Sequence, residues 1–421
     1  MTLTLLYFLY HATTPVRWTQ PLVDQAPQHF HSARERLSHL NKTSLGGDWL
    51  LAMVDKLPFK TMTPSALLLE DLYFTPNNDV REKYLDGSKT LLEPSPRICR
   101  PSPDLVILVP SEPRLVNVRT AIRDTWASVS GKLKSWPWRK FNMKVCVVFV
   151  LGVQNLDNRT RAAILKEEKK SEKKLEEQRQ IQANVSGFID NSFHLIQKRA
   201  IRMEYLRRKK TNGQHINNRM MVLHESKQFA DILQLDMIDS YKNLTKKLLL
   251  SMRWVQHRYP KAKYIMKADQ DVFVNIPLLA AFLENYGETN SIYGHIYANS
   301  WVVRTGRWGV SENVVPIPKY PIYAAGNAYV LSHDAMSKVV DMSVHFPYVP
   351  VEDAFITGIL ASVCRINRVH VAGFTRWSDD KPDMCHFVND RRYVGNKFTD
   401  HLFRMTWMEL VNRGVGRCDV S

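Results

Sequence analysis

The chain has 421 residues, and its 58 Lys and Arg against 41 Asp and Glu leave a formal net charge of +17. With 44% hydrophobic residues and only 17 Gly and 21 Pro, the composition excludes collagen-like and low-complexity architectures and predicts a large globular core. No apolar run reaches the roughly 18 residues of a membrane span, which excludes a multi-span protein.

In chain order, the start MTLTLLYFLY (1–10) is apolar and breaks at His11 and Pro15. Two readings fit it: the remnant of a signal-anchor, or a buried terminal segment. Residues 11–100 mix Pro, polar residues and short apolar patches without a sustained period, which predicts a stem or linker over 1–100 and the main domain over 101–421. LVILV (105–109), closed by Pro110, is an unbroken β-branched run and predicts a strand buried on both faces. A helical stretch follows through Thr120–Trp126, and VCVVFVLG (145–152) predicts a second buried strand.

Residues 157–210 carry 15 Lys and Arg and 8 Asp and Glu, so +7 of the +17 sits in one stretch. No zinc-ligand spacing, stacking aromatic motif or helix-turn-helix pattern accompanies it. It reads as a solvated insertion over about 157–220 rather than a nucleic-acid site. Beyond it, Met237, Tyr241, Leu244, Leu248, Met252 and Val255 recur at helical spacing and predict one long amphipathic helix ending at Tyr259-Pro260. KYIMK (263–267) predicts a third strand, and PLLAAFLENYG (277–287) a helix with Pro in its first turn and Gly at its end. Strands alternating with helices predict an α/β architecture with a mostly parallel sheet, whose ligand site lies beyond the carboxyl ends of the strands.

At that edge stands Asp269-Gln270-Asp271, two carboxylates flanking one residue, a pattern suited to a hard divalent cation bridging a diphosphate. Glu352-Asp353 is predicted at the mouth of a helix, where the dipole favours acids. Tyr323–Ser332 reads as a small-residue turn around Gly326 followed by a strand. Arg119 and Arg123, four apart on one helical face, are candidates for gripping a phosphate. Of the five cysteines, Cys146 is expected to be a buried thiol. Cys99, Cys364, Cys385 and Cys418 are able to form two disulfides in an oxidising compartment. The sequons at Asn41, Asn158, Asn184 and Asn243 are compatible with such a compartment.

The order RTAIRDTW (119–126), FVLG (149–152), YKNLTKK (241–247), KADQDVFVN (267–275), YPIYAAGNAYVLS (320–332) and VEDAFITGIL (351–360) resembles glycosyltransferase family 31, the β-1,3-galactosyl- and N-acetylglucosaminyltransferases. The resemblance covers about residues 100–390. It implies a GT-A fold and an N-terminally anchored Golgi membrane protein with its catalytic domain in the lumen. It also implies a UDP-sugar donor, a glycan acceptor on glycoprotein or glycolipid, and a divalent metal, usually Mn²⁺. The family's first and last motif acids fall on Asp269 and Asp271, with Asp271 the main metal ligand. Its catalytic base falls on Asp353, beside Glu352. Its arginine-bearing helix falls on Arg119 and Arg123 near the nucleotide, and a KWxxS-like segment on Arg307, Trp308 and Ser311.

Three departures from the family pattern stand out: Gln270 in place of the middle acid, Ala354-Phe355 for Val-Tyr, and Asn327-Ala328 for Gly-Gly. The expected activity is inverting transfer of a hexose, with galactose the leading donor sugar, in β-1,3 linkage. A catalytically silent relative that binds UDP-sugar or glycan is the alternative.

Overall fold

The computed structural model describes residues 83–96, 98–99, 102–130, 136–154, 214–315, 317–376, 383–412 and 418, and of 214–218 the backbone only. All belong to the unit Leu57–Ser421. The apolar start, the stem up to residue 82, most of the charged insertion, and the sequons at Asn41, Asn158 and Asn184 lie outside them.

Among the described residues an eight-stranded sheet runs β1-β4-β3-β2-β5-β8-β7-β9. Its strands are β1 Thr90–Leu92, β2 Leu105–Pro110, β3 Val145–Val153, β4 Ile232–Ile238, β5 Tyr264–Ala268, β7 Ser291–Tyr297, β8 Tyr323–Ser332 and β9 Asn367–His370. A separate two-stranded ribbon pairs β6 Phe273–Val274 with β10 Val394–Gly395. The block β4-β3-β2-β5 is parallel, β8 runs antiparallel to both β5 and β7, and β7 is parallel to β9. Only β1 and β8 therefore oppose the common direction, the mixed but mostly parallel α/β arrangement expected of a GT-A fold. The ordered sheet begins with β1, upstream of residue 101.

β2 is buried at every position, which is why it reads as a continuous apolar run: helices cover both faces of a parallel strand. The longer helices before the π-helical segment are α1 Val116–Asp124, α2 Gln214–Phe229, α3 Leu244–Arg258, α4 Ile276–Tyr286 and α5 His333–Ser343, and a further helix, Asp400–Val411, closes the described chain. One core packs α3 and α5 against β2, β5 and β8, with Leu248, Met252 and Val255 of α3 fully buried beside Ile265 and Leu331. A second cluster gathers on Phe273, whose ring lies 4.9 Å from Phe387 and 5.2 Å from Phe398. α4 starts as its sequence predicts: the Asn275 side chain accepts from the Leu278 amide and Pro277 occupies the first turn, where its missing N–H costs nothing.

Three expectations need correction. Met237 and Tyr241 are not helical: Met237 lies in β4, Tyr241 opens a single 3₁₀ turn, and the helix begins at Leu244. Apolar residues of a strand and a turn fell on the helical period by coincidence. Gly326 lies inside one continuous strand, Tyr323–Ser332, not in a turn before it. Cys146 is buried but not a free thiol: it bonds to Cys99, with Cα atoms 5.2 Å apart, while Cys385 bonds to Cys418 and Cys364 is the free cysteine.

Candidate active site

β5 and the start of a π-helical segment bring two acids each to one edge of the sheet. Asp269 follows the last residue of β5, and its amide donates to the Asn327 carbonyl of β8 at 2.9 Å. Asp271 lies on the turn into β6, where the Lys397 amide donates to its Oδ2 at 3.3 Å and the Phe398 amide to its carbonyl at 2.9 Å. Glu352 and Asp353 open the π-helical segment Ala354–Leu360, and Asp353 Oδ1 accepts from the Ala354 amide at 2.9 Å. The predicted position at a helix mouth is therefore the observed one.

One cation holds these acids together. Lys267, 1% exposed in the middle of a strand, reaches Asp269 Oδ1 at 2.7 Å and approaches Glu352 Oε2 at 3.8 Å. Lys267 is directly opposite Tyr329 in the β5–β8 register. The Tyr329 hydroxyl donates to the other Glu352 oxygen, Oε1. Glu352 is 4% exposed with both oxygens turned into the protein, so its side chain anchors the start of the π-helix rather than facing a ligand.

Gly326 has a specific steric reason to be glycine. A Cβ built there would lie 2.7 Å from Asp353 Oδ2 and 3.1 Å from its Cγ. Any side chain at 326 would displace the Asp353 carboxylate. Asn327, next along the strand, points the other way, donating to the Thr375 carbonyl at 2.7 Å and to its hydroxyl at 3.0 Å.

Lys267 faces Asp269 and Glu352 directly and Asp353 electrostatically, so the carboxylates around it outnumber it. Burial pushes Asp353 above its ordinary range, against the Ala354 amide and the Lys267 charge. Asp269 is also raised, because burial outweighs the opposing charge and hydrogen bond of Lys267, with Asp271 and Asp353 adding smaller repulsions. Burial likewise lifts Glu352 to about 7. Lys267 itself is pulled down by burial, but Asp269 and Glu352 outweigh that and its net direction is up.

This surplus fits a divalent cation. No group of three or more His, Cys, Asp or Glu able to hold a metal occurs among the described residues. The pair Asp269 and Asp271 matches instead the way such ions bind through one or two carboxylates, with substrate phosphates and water completing the shell.

Trp308 stands at the edge of the site. It is 43% exposed, and its Nε1 donates to the Tyr241 hydroxyl at 2.7 Å while the Arg307 guanidinium lies 4.0 Å over the Tyr241 ring. Burial raises the Tyr241 hydroxyl's pKa, and the nearby Asp353 charge adds to it. That electrostatic coupling ties the Trp308 segment to the predicted base.

Arg119 and Arg123 do not join this group. Arg119 is 0% exposed. Its Nε donates to Glu225 Oε1 at 2.8 Å. Its two terminal nitrogens donate to Glu225 Oε2, Ser111 Oγ and the Glu112 and Pro113 carbonyls. Those five bonds use all five guanidinium N–H groups, leaving none for a phosphate. Arg123 forks onto Asp231 at 2.7 and 2.8 Å and donates to Glu225 at 2.7 Å, between the rings of Phe149 and Phe229. Arg119 holds up the loop after β2 instead, and Arg123 ties α1 to α2 and to the start of β4. That loop meets the acidic turn where Glu112 N donates to Gln270 Oε1 at 3.3 Å.

Sequence reasoning missed Lys267, Tyr329, Glu225 and Lys247. The last is a buried lysine paired with Asp239 at 2.7 Å and donating to the Ser111 carbonyl at 3.2 Å. The available signal was a lysine inside an apolar strand, since a buried cation requires a partner.

Residues 206–372 match the model of the family described as Galactosyltransferase. This stretch belongs to that family. It contains both acid pairs, Lys267, Gly326 and Trp308. The chain is 31% identical over 192 residues to "Beta-1,3-galactosyltransferase 5" of Pan paniscus, covering 40% of this chain and 60% of that one. It is 40% identical over 126 residues to "Lactosylceramide 1,3-N-acetyl-beta-D-glucosaminyltransferase A" of Xenopus laevis (29% and 33% covered). It is 27% identical over 273 residues to "UDP-GalNAc:beta-1,3-N-acetylgalactosaminyltransferase 1" of Homo sapiens (64% and 62%). The matched region thus spans about 60% of the length of these galactosyltransferase relatives at the head of the comparison.

Proposed function

We propose that the chain is an inverting, metal-dependent β-1,3-hexosyltransferase that moves a sugar, with galactose the leading candidate, from a UDP-sugar to a glycan acceptor. The observation that carries this reading is the Asp353 carboxylate. It is seated against Gly326, raised by burial toward working pH, and within electrostatic reach of the paired acids at the end of β5. Asp353 accepts the proton of the attacking acceptor hydroxyl. Asp269 and Asp271 would hold the divalent cation, Mn²⁺ by family resemblance. When bound it supplies Lewis-acid neutralisation of the departing diphosphate. A single displacement needs no covalent intermediate, so none of the Ser or Cys residues is assigned a nucleophile's role. Lys267 and Tyr329, gripping Glu352 from the sheet, fix where Asp353 stands.

The two disulfides support folding in an oxidising compartment, consistent with a Golgi lumenal domain anchored through the N-terminal segment. No helix among the described residues is long and apolar enough to cross a membrane. The test is UDP release by the full chain across UDP-galactose, UDP-N-acetylglucosamine and UDP-glucose, with β-galactoside and N-acetylhexosaminide acceptors, with and without Mn²⁺. Release that requires metal, one donor and an acceptor supports the reading. UDP·Mn²⁺ binding without release would indicate a silent relative. Asp271→Asn should weaken UDP binding about tenfold or more with Mn²⁺ present and leave metal-free binding unchanged. Equal affinity of variant and parent with Mn²⁺ overturns the ligand assignment.

A further inference from the structure

Three tyrosines from three segments lie within electrostatic reach of Asp353: Tyr241 of the 3₁₀ turn after β4, Tyr320, and Tyr323 at the start of β8. Burial raises each hydroxyl's pKa and the Asp353 charge adds to it, so each stays a neutral O–H at working pH. Tyr320 is 6% exposed and packs in the core, and the Tyr323 side chain is bonded to Ser300. Tyr241 differs from both, being 37% exposed.

Bonds hold the Tyr241 turn against the segment that leads into Asp353. The Tyr348 hydroxyl donates to the Lys242 carbonyl, and the Thr245 hydroxyl donates to the Val349 carbonyl at 2.8 Å. The turn is braced from behind by Asn243 Nδ2, which donates to the Ile238 carbonyl at 2.9 Å. Its ring is clamped as well, with the Arg307 guanidinium 4.0 Å above it and Trp308 Nε1 donating to the hydroxyl at 2.7 Å. An indole N–H is only a donor, so the Tyr241 oxygen is the acceptor in that bond and its single proton is left to give. Among the described residues nothing takes that proton. A fixed donor therefore stands in a partly open place beside the proposed base, where a polyhydroxylated ligand offers lone pairs.

We infer that the Tyr241 hydroxyl donates a hydrogen bond to an acceptor-sugar hydroxyl neighbouring the one that Asp353 deprotonates, and so orients the acceptor toward the base. The inference rests on the transferase reading for the identity of the ligand as a sugar.

The test is calorimetric binding to the full chain in the presence of UDP and Mn²⁺, with methyl β-galactoside, methyl β-N-acetylglucosaminide and their monodeoxy analogues as probes. For the parent glycoside that binds, Tyr241→Phe should weaken binding about fivefold, the scale of one neutral hydrogen bond. UDP·Mn²⁺ affinity and Tm should stay within the parent's range. One monodeoxy analogue should bind the unmodified protein about fivefold more weakly and lose nothing further in Tyr241→Phe, because the variant and that analogue delete the two ends of the same bond. If Tyr241→Phe weakens every analogue by the same factor as the complete glycoside, the hydroxyl touches no sugar hydroxyl and the inference falls. Unchanged binding of the complete glycoside by the variant overturns it too, as does binding of neither glycoside by the unmodified protein. Weakened UDP·Mn²⁺ binding in the variant overturns it by assigning Tyr241 to the donor. Because binding is read rather than turnover, failure of the transferase reading, seen as absent UDP release, is a separate result.

Discussion

Two charge clusters, one buried and one partly open, stand near the same edge of the sheet and differ in how their charges are matched. In the cluster beneath the loop after β2, Arg119 and Arg123 meet Glu225 and Asp231 one for one. In the cluster at the end of β5, Lys267 meets Asp269 and Glu352 directly and feels the Asp353 charge, with Asp271 beside them. Burial pushes carboxyls up in both places. Arg119 and Arg123 outweigh it at Glu225, which is held below its ordinary range. At Asp269 and Asp353 the opposing charge is insufficient and both remain raised. A balanced buried cluster is structural, while an unbalanced one carries a cost that a ligand's charge relieves.

The sharpest way to break this comparison is at Asp353. Asp353→Asn should lower transfer by roughly a thousandfold or more, within the range general bases contribute, while UDP·Mn²⁺ binding measured by calorimetry persists. Loss of nucleotide binding instead would make Asp353 a donor-site residue and dissolve its assignment as base.

The balanced cluster should respond in stability. Arg119→Met leaves Glu225 buried with only Arg123 as its counter-ion and should cost about 3–5 kcal/mol in denaturant unfolding. A cost under 1 kcal/mol would show that Arg119 is not structural and return it to the nucleotide site.

Glu352 discriminates by pH. Its folded pKa of about 7 lies above its ordinary 4.5. The protonated form is thus favoured in the fold, and stability is full below about 4.5 and lost as pH rises through 7. The loss amounts to about 3 kcal/mol. Glu352→Gln should therefore unfold at higher temperature than the parent at pH 8, with the gap closing toward pH 4.5. A gap independent of pH would refute the raised carboxyl.

The smallest expected effect is Gly326→Ala. The added methyl displaces the Asp353 carboxylate by steric contact and should lower kcat about a hundredfold, the scale of a misplacement near 1 Å. Tm should barely change. Activity near the parent's would mean that Asp353 is free to shift without consequence.

Much of the fold was legible because buried parallel strands are apolar throughout: 105–109 and 145–152 were found nearly to the residue. β4 was not, because Gln234 and Asp236 interrupt its apolar run and its last methionine happened to extend the period of the next helix. At the site, the sequence places Asp269 and Asp271 after a strand and Asp353 before a helix, and the structure shows them in those positions. Glu352 was found for the wrong role, since nothing along the chain shows that Tyr329 and Lys267 would claim both its oxygens.

By itself, then, the sequence determined the α/β class, the family resemblance and the acids that crowd one sheet edge, since periodicity, strand-end position and motif order are local properties of a chain. The tertiary structure alone decided which charges are balanced. Arg119 and Glu225 are 106 residues apart, and Lys267 meets Glu352 where β8 sets Tyr329 opposite Lys267 and Tyr329 holds Glu352. Whether a buried charge is a support or an invitation to a ligand depends on the partners that folding delivers, and those are not written next to it.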